Sequence, residues 1–266
     1  MFAYFSSDAD IQQISHCHQP MPLGIAFHRH FHTNYELLLV IKGDVHYNID
    51  GQQYALKPYD LLFIPASTYH FAIPMSNMSY ENYVLNFNQE FIQKANLQFL
   101  FDKPRILNIY TDMYLHRMFG LFDLYHQLYT KEDFDTAASH LLNELLLYTS
   151  YKFKACGEAI LSTEAHPLIS RITAYIAENL QSDLNSDVIA RDLNFSKSYI
   201  QNTFSVDMEI GLQQYINQKK IHAAHYDIQK GLPPGEAAAK YGYRNYSSFY
   251  RQYKKFFGHS PKAAKL

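Results

Sequence analysis

The chain has 266 residues, a net charge of −2, 47% hydrophobic and 18% charged residues, and with 23 Tyr and 19 Phe it carries enough bulk for a packed core, which excludes wholesale disorder. Its longest unbroken apolar stretch, Leu37–Ile41, falls far short of the roughly 18 residues of a membrane span. Two cysteines, Cys17 and Cys156, make neither a disulfide framework nor a paired metal motif, and Met1 to Asp10 lacks the cations of a signal peptide, so a cytoplasmic protein with no membrane role is expected.

The near-neutral total conceals a division. Residues 1–167 hold 10 Lys and Arg against 17 Asp and Glu, a net −7, whereas residues 168–266 hold 13 against 8, a net +5. An acidic half joined to a basic half suggests that only the second meets a polyanion.

In chain order, short β-type runs come first. Asn34–Ile41 precedes Gly43, and Asp44–Ile49 ends at Asp50-Gly51, a pair suited to a type I′ hairpin. Gln52–Leu56 stops at Lys57-Pro58, Asp60–Ile64 at Pro65 and Tyr69–Ile73 at Pro74, and Ser79–Phe87 follows. Regular short strands with no helical period between them predict a small antiparallel barrel over residues 1–105. Residues 1–20 suit either a lid or a first strand.

A polar set is spaced along these strands. Gly24, His30, His32, Glu36 and Gly43 form one group, and His70 follows Pro65 by five residues. Side chains two apart on a strand share a face, which pairs His30 with His32 and includes Glu36 only if the strand runs unbroken. Imidazoles and a carboxylate converging inside a barrel suit a divalent transition metal, the one cofactor the sequence suggests. The first group resembles the first conserved motif of the cupins, and Tyr59–His70 resembles the second. The second departs from the pattern, because Tyr59 and Ser67 stand where cupins usually have Gly and Pro74 where they have Asn. Three readings are open: a catalytic metal centre, a metal or polar set that senses a ligand, and inherited architecture lined by hydrogen-bonded His without metal, the last being the leading one. His28 and Arg29, beside the set, read as surface residues.

From Thr111 to Lys154 the period becomes helical. Met113, Leu115, Met118, Leu121, Phe122, Leu124, Tyr125 and Leu128 line one face, and Leu141, Leu142, Leu145, Leu146 and Tyr148 line a second helix. Residues 106–155 are thus a helical segment that packs on its own barrel and offers a dimer seam. Residues 156–166 read as a linker.

The remainder, residues 167–266, repeats itself. Pro167 opens a helix with Leu168, Ile169, Ile172 and Ile176 on one face; Asn185 caps the next, which breaks at Asn194; Ser196 then caps Lys197–Val206. Ile200 and Phe204 face inward there, and Ser198, Gln201, Asn202 and Ser205 face outward. Ala238 and Gly242-Tyr243 echo Ala190 and Asn194-Phe195. Asn245 caps a last helix with Phe249 and Tyr253 inward and Ser247, Tyr250, Arg251 and Lys254 outward. A helix over Tyr215–Ile228 joins the halves. Two helix-turn-helix units follow, each with a polar stripe able to read base edges in a major groove.

Residues 168–266 resemble the DNA-binding domain of the AraC/XylS transcription regulators. The most specific stretch is Ala238-Ala239-Lys240-Tyr241-Gly242-Tyr243, then Ser248-Phe249, Arg251, Tyr253-Lys254-Lys255 and Gly258-His259-Ser260-Pro261. The resemblance implies a two-domain α+β protein, a cupin-like sensor barrel ahead of an all-α domain that binds double-stranded DNA. It also implies RNA polymerase as partner, more often activation than repression, a homodimer, and a small-molecule effector, often a carbohydrate, held near His30, His32, Glu36 and His70. By position, Ser198, Gln201, Asn202, Tyr246, Ser247, Tyr250 and Arg251 would read bases, and Lys197, Lys254 and Lys255 would touch phosphates. The rival is a metal-dependent cupin enzyme with a basic localising tail, which the repeated helix-turn-helix argues against. Five departures stand out. Glu209 replaces a usual Gly, Pro234 and Ala237 replace larger aliphatics, Lys220 replaces an Arg, and Asn202 is shorter than the usual Arg.

Overall fold

The strand Leu37–Val40 has no polar position, so it must be covered on both sides. The structure, a computed structural model, describes residues 1–5, 11–23, 27, 29–156 and 167–264. It divides into two compact units, made chiefly of residues up to 164 and from 165 onward.

Among its described residues the first unit has nine strands: β1 Phe2–Phe5, β2 Ile11–Gln19, β3 Tyr35–Lys42, β4 Val45–Ile49, β5 Gln52–Leu56, β6 Asp60–Ile64, β7 His70–Pro74, β8 Tyr80–Phe87 and β9 Arg105–Asn108. They form a six-stranded sheet in the order β1-β2-β8-β3-β6-β9 and a three-stranded sheet in the order β5-β4-β7. The recorded pairings are antiparallel. Asp50 and Gly51 both take positive φ, 47° and 85°, as a type I′ turn requires.

Alternation explains the apolar run. Leu38 and Val40 of β3, with Leu62 and Ile64 of β6, join Val45, Tyr47, Ile49, Tyr54 and Leu56 of the small sheet in one core cluster. Leu37, Leu39, Leu61 and Phe63 point the other way. There they meet the helices α2 (Met113–Leu128) and α3 (Lys131–Cys156) through Leu115, Met118, Phe119, Phe122, Leu142 and Leu146. Each fully buried Leu or Phe of this kind stabilises the fold by about 1.5–3 kcal/mol.

Some short elements escape the sequence pattern. Helix α1, Gln89–Ala95, is only seven residues long, capped by the Asn88 side chain and closed by Asn96 in the left-handed region. Strand β9 is only four residues long and extends the large sheet beyond residue 105. Residues 1–20 supply two strands, β1 and β2, paired to each other and to β8.

Among the described residues the second unit holds α4 Pro167–Glu178, α5 Ser186–Leu193, α6 Lys197–Met208, α7 Leu212–Gln229, α8 Pro234–Lys240 and α9 Tyr246–Phe257, followed by a single 3-10 turn at Pro261–Ala264. The expected caps are present: Asn185, Ser196 and Asn245 each accept from a backbone N–H of the first turn they precede. Both α6 and α7 run past their expected ends, α6 by two residues to Met208. Among the described residues no helix is long and apolar enough to cross a membrane.

Candidate nucleic-acid interface and effector site

The two helix-turn-helix turns are built alike down to their hydrogen bonds. After α5, Asn194 sits in the left-handed region, its N–H donates to Arg191 O, and Phe195 N–H donates to Ala190 O at 2.9 Å. After α8, Gly242 takes φ 76°, its N–H donates to Ala239 O, and Tyr243 N–H donates to Ala238 O at 3.0 Å. These are paired 6→1 and 5→2 helix endings. Ala190 and Ala238 are both buried, which lets the helices of each pair cross closely. Each turn then launches a helix whose inner residues, Ile200 and Phe204 or Phe249 and Tyr253, are fully buried.

The outer stripes stand clear of that packing. Ser198, Asn202 and Ser205 on α6, and Tyr246, Ser247, Tyr250, Arg251, Lys254 and Lys255 on α9, are exposed. Gln201 is half-buried, its amide nitrogen donating 3.2 Å to Ser186 Oγ at the start of α5. Lys197 is exposed but pairs with Asp187 at 2.8 Å. Arg251, Lys254 and Lys255 face no carboxylate among the described residues, which leaves their charge for an outside anion.

In the first unit the four polar residues converge. One ligand atom each from His30, His32, Glu36 and His70 lies within 4.8 Å of every other. The geometry differs from an unbroken strand. His30 pairs with His70 as an isolated bridge outside the strands, and β3 begins at Tyr35, so the chain bends between them before Glu36 enters the sheet. Glu36 shares the inter-sheet face with Leu38 and Val40 by the parity of β3.

The imidazoles are oriented by the backbone. His32 Nδ1 meets Asn34 O at 2.9 Å, and His70 Nδ1 meets Thr68 O at 3.1 Å. A carbonyl only accepts, so both rings carry hydrogen on Nδ1 and turn Nε2 toward Glu36 Oε2, at 3.1 Å and 3.4 Å. Burial raises the Glu36 pKa, but His70 and then His32 more than offset it and hold the carboxyl well below the usual carboxylate range. Two nitrogens aimed at one carboxylate need a proton or a cation between them. Fixing imidazoles through Nδ1 is also how metal-binding His are commonly oriented. Ligand atoms about 2.0–2.2 Å from a metal lie up to about 4.4 Å apart, so the set fits a divalent transition ion with shifts of a few tenths of an ångström.

Beside the set lies a cavity of about 450 Å³ lined by Phe5, Gln12, Gln13, His30, His32, Asn34 and Asn86. The amides are cross-linked: Asn86 donates to Gln13 Oε1 at 3.0 Å and Asn34 to Gln12. Sequence reasoning missed these amides, because isolated Asn and Gln on strands carry no spacing signal. His28 and Gly24 lie outside the described residues, as does nearly all of the expected linker. Arg29 is no plain surface residue, since its guanidinium lies 4.5 Å over the Phe71 ring.

The second cupin-like motif holds two non-glycine residues in the left-handed region. Tyr59 and Ser67, at the two positions where Gly is usual, take φ 65° and 60°.

The comparisons with known proteins follow the same division. A helix-turn-helix domain model matches residues 189–265, and an AraC-like ligand binding domain model matches residues 17–148. The transcriptional activator AarP of Providencia stuartii is 30% identical over 100 residues, 37% of this chain and 74% of AarP. The chain belongs to the AraC family of transcriptional regulators. YtdP of Bacillus subtilis, an HTH-type transcriptional regulator, is 26% identical over 139 residues, 52% of this chain but only 18% of YtdP. SoxS of Escherichia coli K12 is 28% identical over 95 residues, 35% of this chain and 89% of SoxS. The chain therefore spans under a fifth of one relative and most of two shorter ones. These AraC-family relatives are named as regulators, which sets the cupin-enzyme reading aside.

Proposed function

We propose that the protein is a sequence-specific regulator of transcription, more an activator than a repressor, whose first unit senses a small polar molecule. The observation that carries this reading is the repeated turn after Ala190 and Ala238, each launching a helix with an exposed polar stripe. Ser198, Gln201, Asn202, Tyr246, Ser247, Tyr250 and Arg251 are the base readers, and Lys197, Lys254 and Lys255 seat phosphates. Selecting duplexes from random DNA with the full chain tests it. Enrichment of one sequence with two half-sites supports the reading, and recovery of unrelated sequences overturns it.

The sensing centre is His30, His32, Glu36 and His70, and its amide-lined cavity fits an oxygen-rich effector such as a carbohydrate. These four residues would hold a divalent ion, which would supply a Lewis-acidic site for an effector hydroxyl or carboxylate. The orientation of both Nε2 atoms toward one carboxylate favours that over a metal-free barrel. Metal analysis after a chelator wash and reloading decides it: stoichiometric metal in the native chain, lost in His70→Ala, is expected, and equal traces in both would exclude the ion.

Partners follow from surfaces. Met113, Leu124 and Leu128 of α2 are exposed apolar residues on one helix, suited to the same helix of a second copy in a homodimer. RNA polymerase is the expected partner of an activator on DNA, and the cytoplasm its place.

A further inference from the structure

One turn of the first helix-turn-helix unit reaches into the second. Between α4 and α5 the chain folds tightly: Ser182 N–H and Oγ both donate to Asn179 O, and Leu184 N–H donates to Ser182 O. Helix α4 packs on both α5 and α6, so this turn moves with the first helix-turn-helix unit. Its residues nevertheless contact the second helix-turn-helix unit, or the helix α7 that joins it to the first, at three points.

Leu180 packs on the core cluster that holds Ala237, Ala238, Tyr241, Phe249 and Tyr253. Asp183 pairs with Arg244, which lies between α8 and α9. The third point is buried. Lys220, in the middle of α7 and only 7% exposed, donates from Nζ to Ser182 O at 2.7 Å. Gly242 closes the other side, because a Cβ added there would sit 3.3 Å from both Lys220 Nζ and Ser182 O. The turn that launches the second recognition helix is thus pressed against the first helix-turn-helix unit through one ammonium group.

We propose that Lys220, held between Ser182 O and Gly242, is a positioning residue that fixes the spacing at which the two recognition helices read DNA. This rests on the reading of α6 and α9 as recognition helices. Without the grip, only the edge packing of Leu180 and the exposed Asp183–Arg244 pair hold the turn to the second helix-turn-helix unit alongside α7, which leaves the two units freer to bend and twist about that helix. A rigid pair engages both grooves only at one half-site separation, whereas a loose pair tolerates several with a lower effective concentration for the second contact.

The test uses the full chain and duplexes derived from the sequence it selects, with the two half-sites moved one base pair closer or farther. The parent chain is expected to lose about tenfold in affinity on either change, and Lys220→Met about threefold or less, with base preferences inside each half-site unchanged. Asp183→Arg sets two cations against each other on an exposed edge, and it is expected to flatten the spacing profile in the same direction. That variant decides the matter should Lys220→Met fail to fold by its circular dichroism. A parent-like profile in the folded variants, or an equal loss at every spacing, overturns the proposal while leaving DNA binding intact. Selection that enriches no sequence overturns both.

Discussion

Among the described residues, and apart from Asp50 in its hairpin turn, three residues other than Gly or Asn hold the left-handed region. Tyr59 and Ser67 flank β6, and Glu209 ends the first recognition helix at φ 50°, ψ 29°. An L side chain there costs about 1–2 kcal/mol, and Gly relieves it. Glu209→Gly is expected to raise stability by about 1 kcal/mol in denaturant unfolding, and an unchanged midpoint would count against strain at that turn. Ser67→Gly belongs to the same class, whereas Tyr59→Gly would also lose the stacking of Tyr59 on His116. On α9, Arg251→Ala should cost about 1–3 kcal/mol and relax preference at one base position, while Lys254→Ala should weaken all sequences alike and lower the salt slope by about one. If the two variants behave identically, the division between base reader and phosphate contact is wrong.

At the scale of elements, the second helix-turn-helix has a buried base at its centre. His225 of α7 stacks on Phe257 at 4.2 Å and shares a hydrogen bond with the Tyr253 hydroxyl. Burial, with a smaller contribution from His259, lowers its pKa from 6.5 to about 4. The folded unit therefore binds this proton less readily than the unfolded chain. Its contribution is complete above about pH 6.5 and is lost as pH falls toward 4, a loss of about 2–3 kcal/mol. His225→Gln should flatten that dependence in denaturant titrations between pH 7 and 4.5, and parallel curves would refute the assignment. Elements of this half were legible in sequence because their punctuation is chemical: Asn185, Ser196 and Asn245 cap helices, and Asn194 and Gly242 end them. Strand β9 was not, since four residues cannot display a period.

Over the whole molecule, the charge division, the strand pattern and the repeat sufficed to read the class of each half. What stayed illegible was created by the fold. Gln12, Gln13, Asn34 and Asn86 lie up to 74 positions apart and share a cavity only because β8 lies between β2 and β3, which Asn34 immediately precedes. The bend after His30 likewise hid how Glu36 joins His32 and His70. An effector in that cavity should raise the melting temperature in a screen of sugars and hydroxy acids, by an amount set by its concentration relative to its dissociation constant. A flat screen across both classes would argue for a constitutive binder. Because helices cover one face of β3 and the small sheet the other, solvent deuterium can reach the amides of Leu37 to Val40 only through opening of the entire sensor. Their exchange rate is then a built-in gauge of that opening, and its slowing at rising effector concentration would yield the affinity without any DNA present.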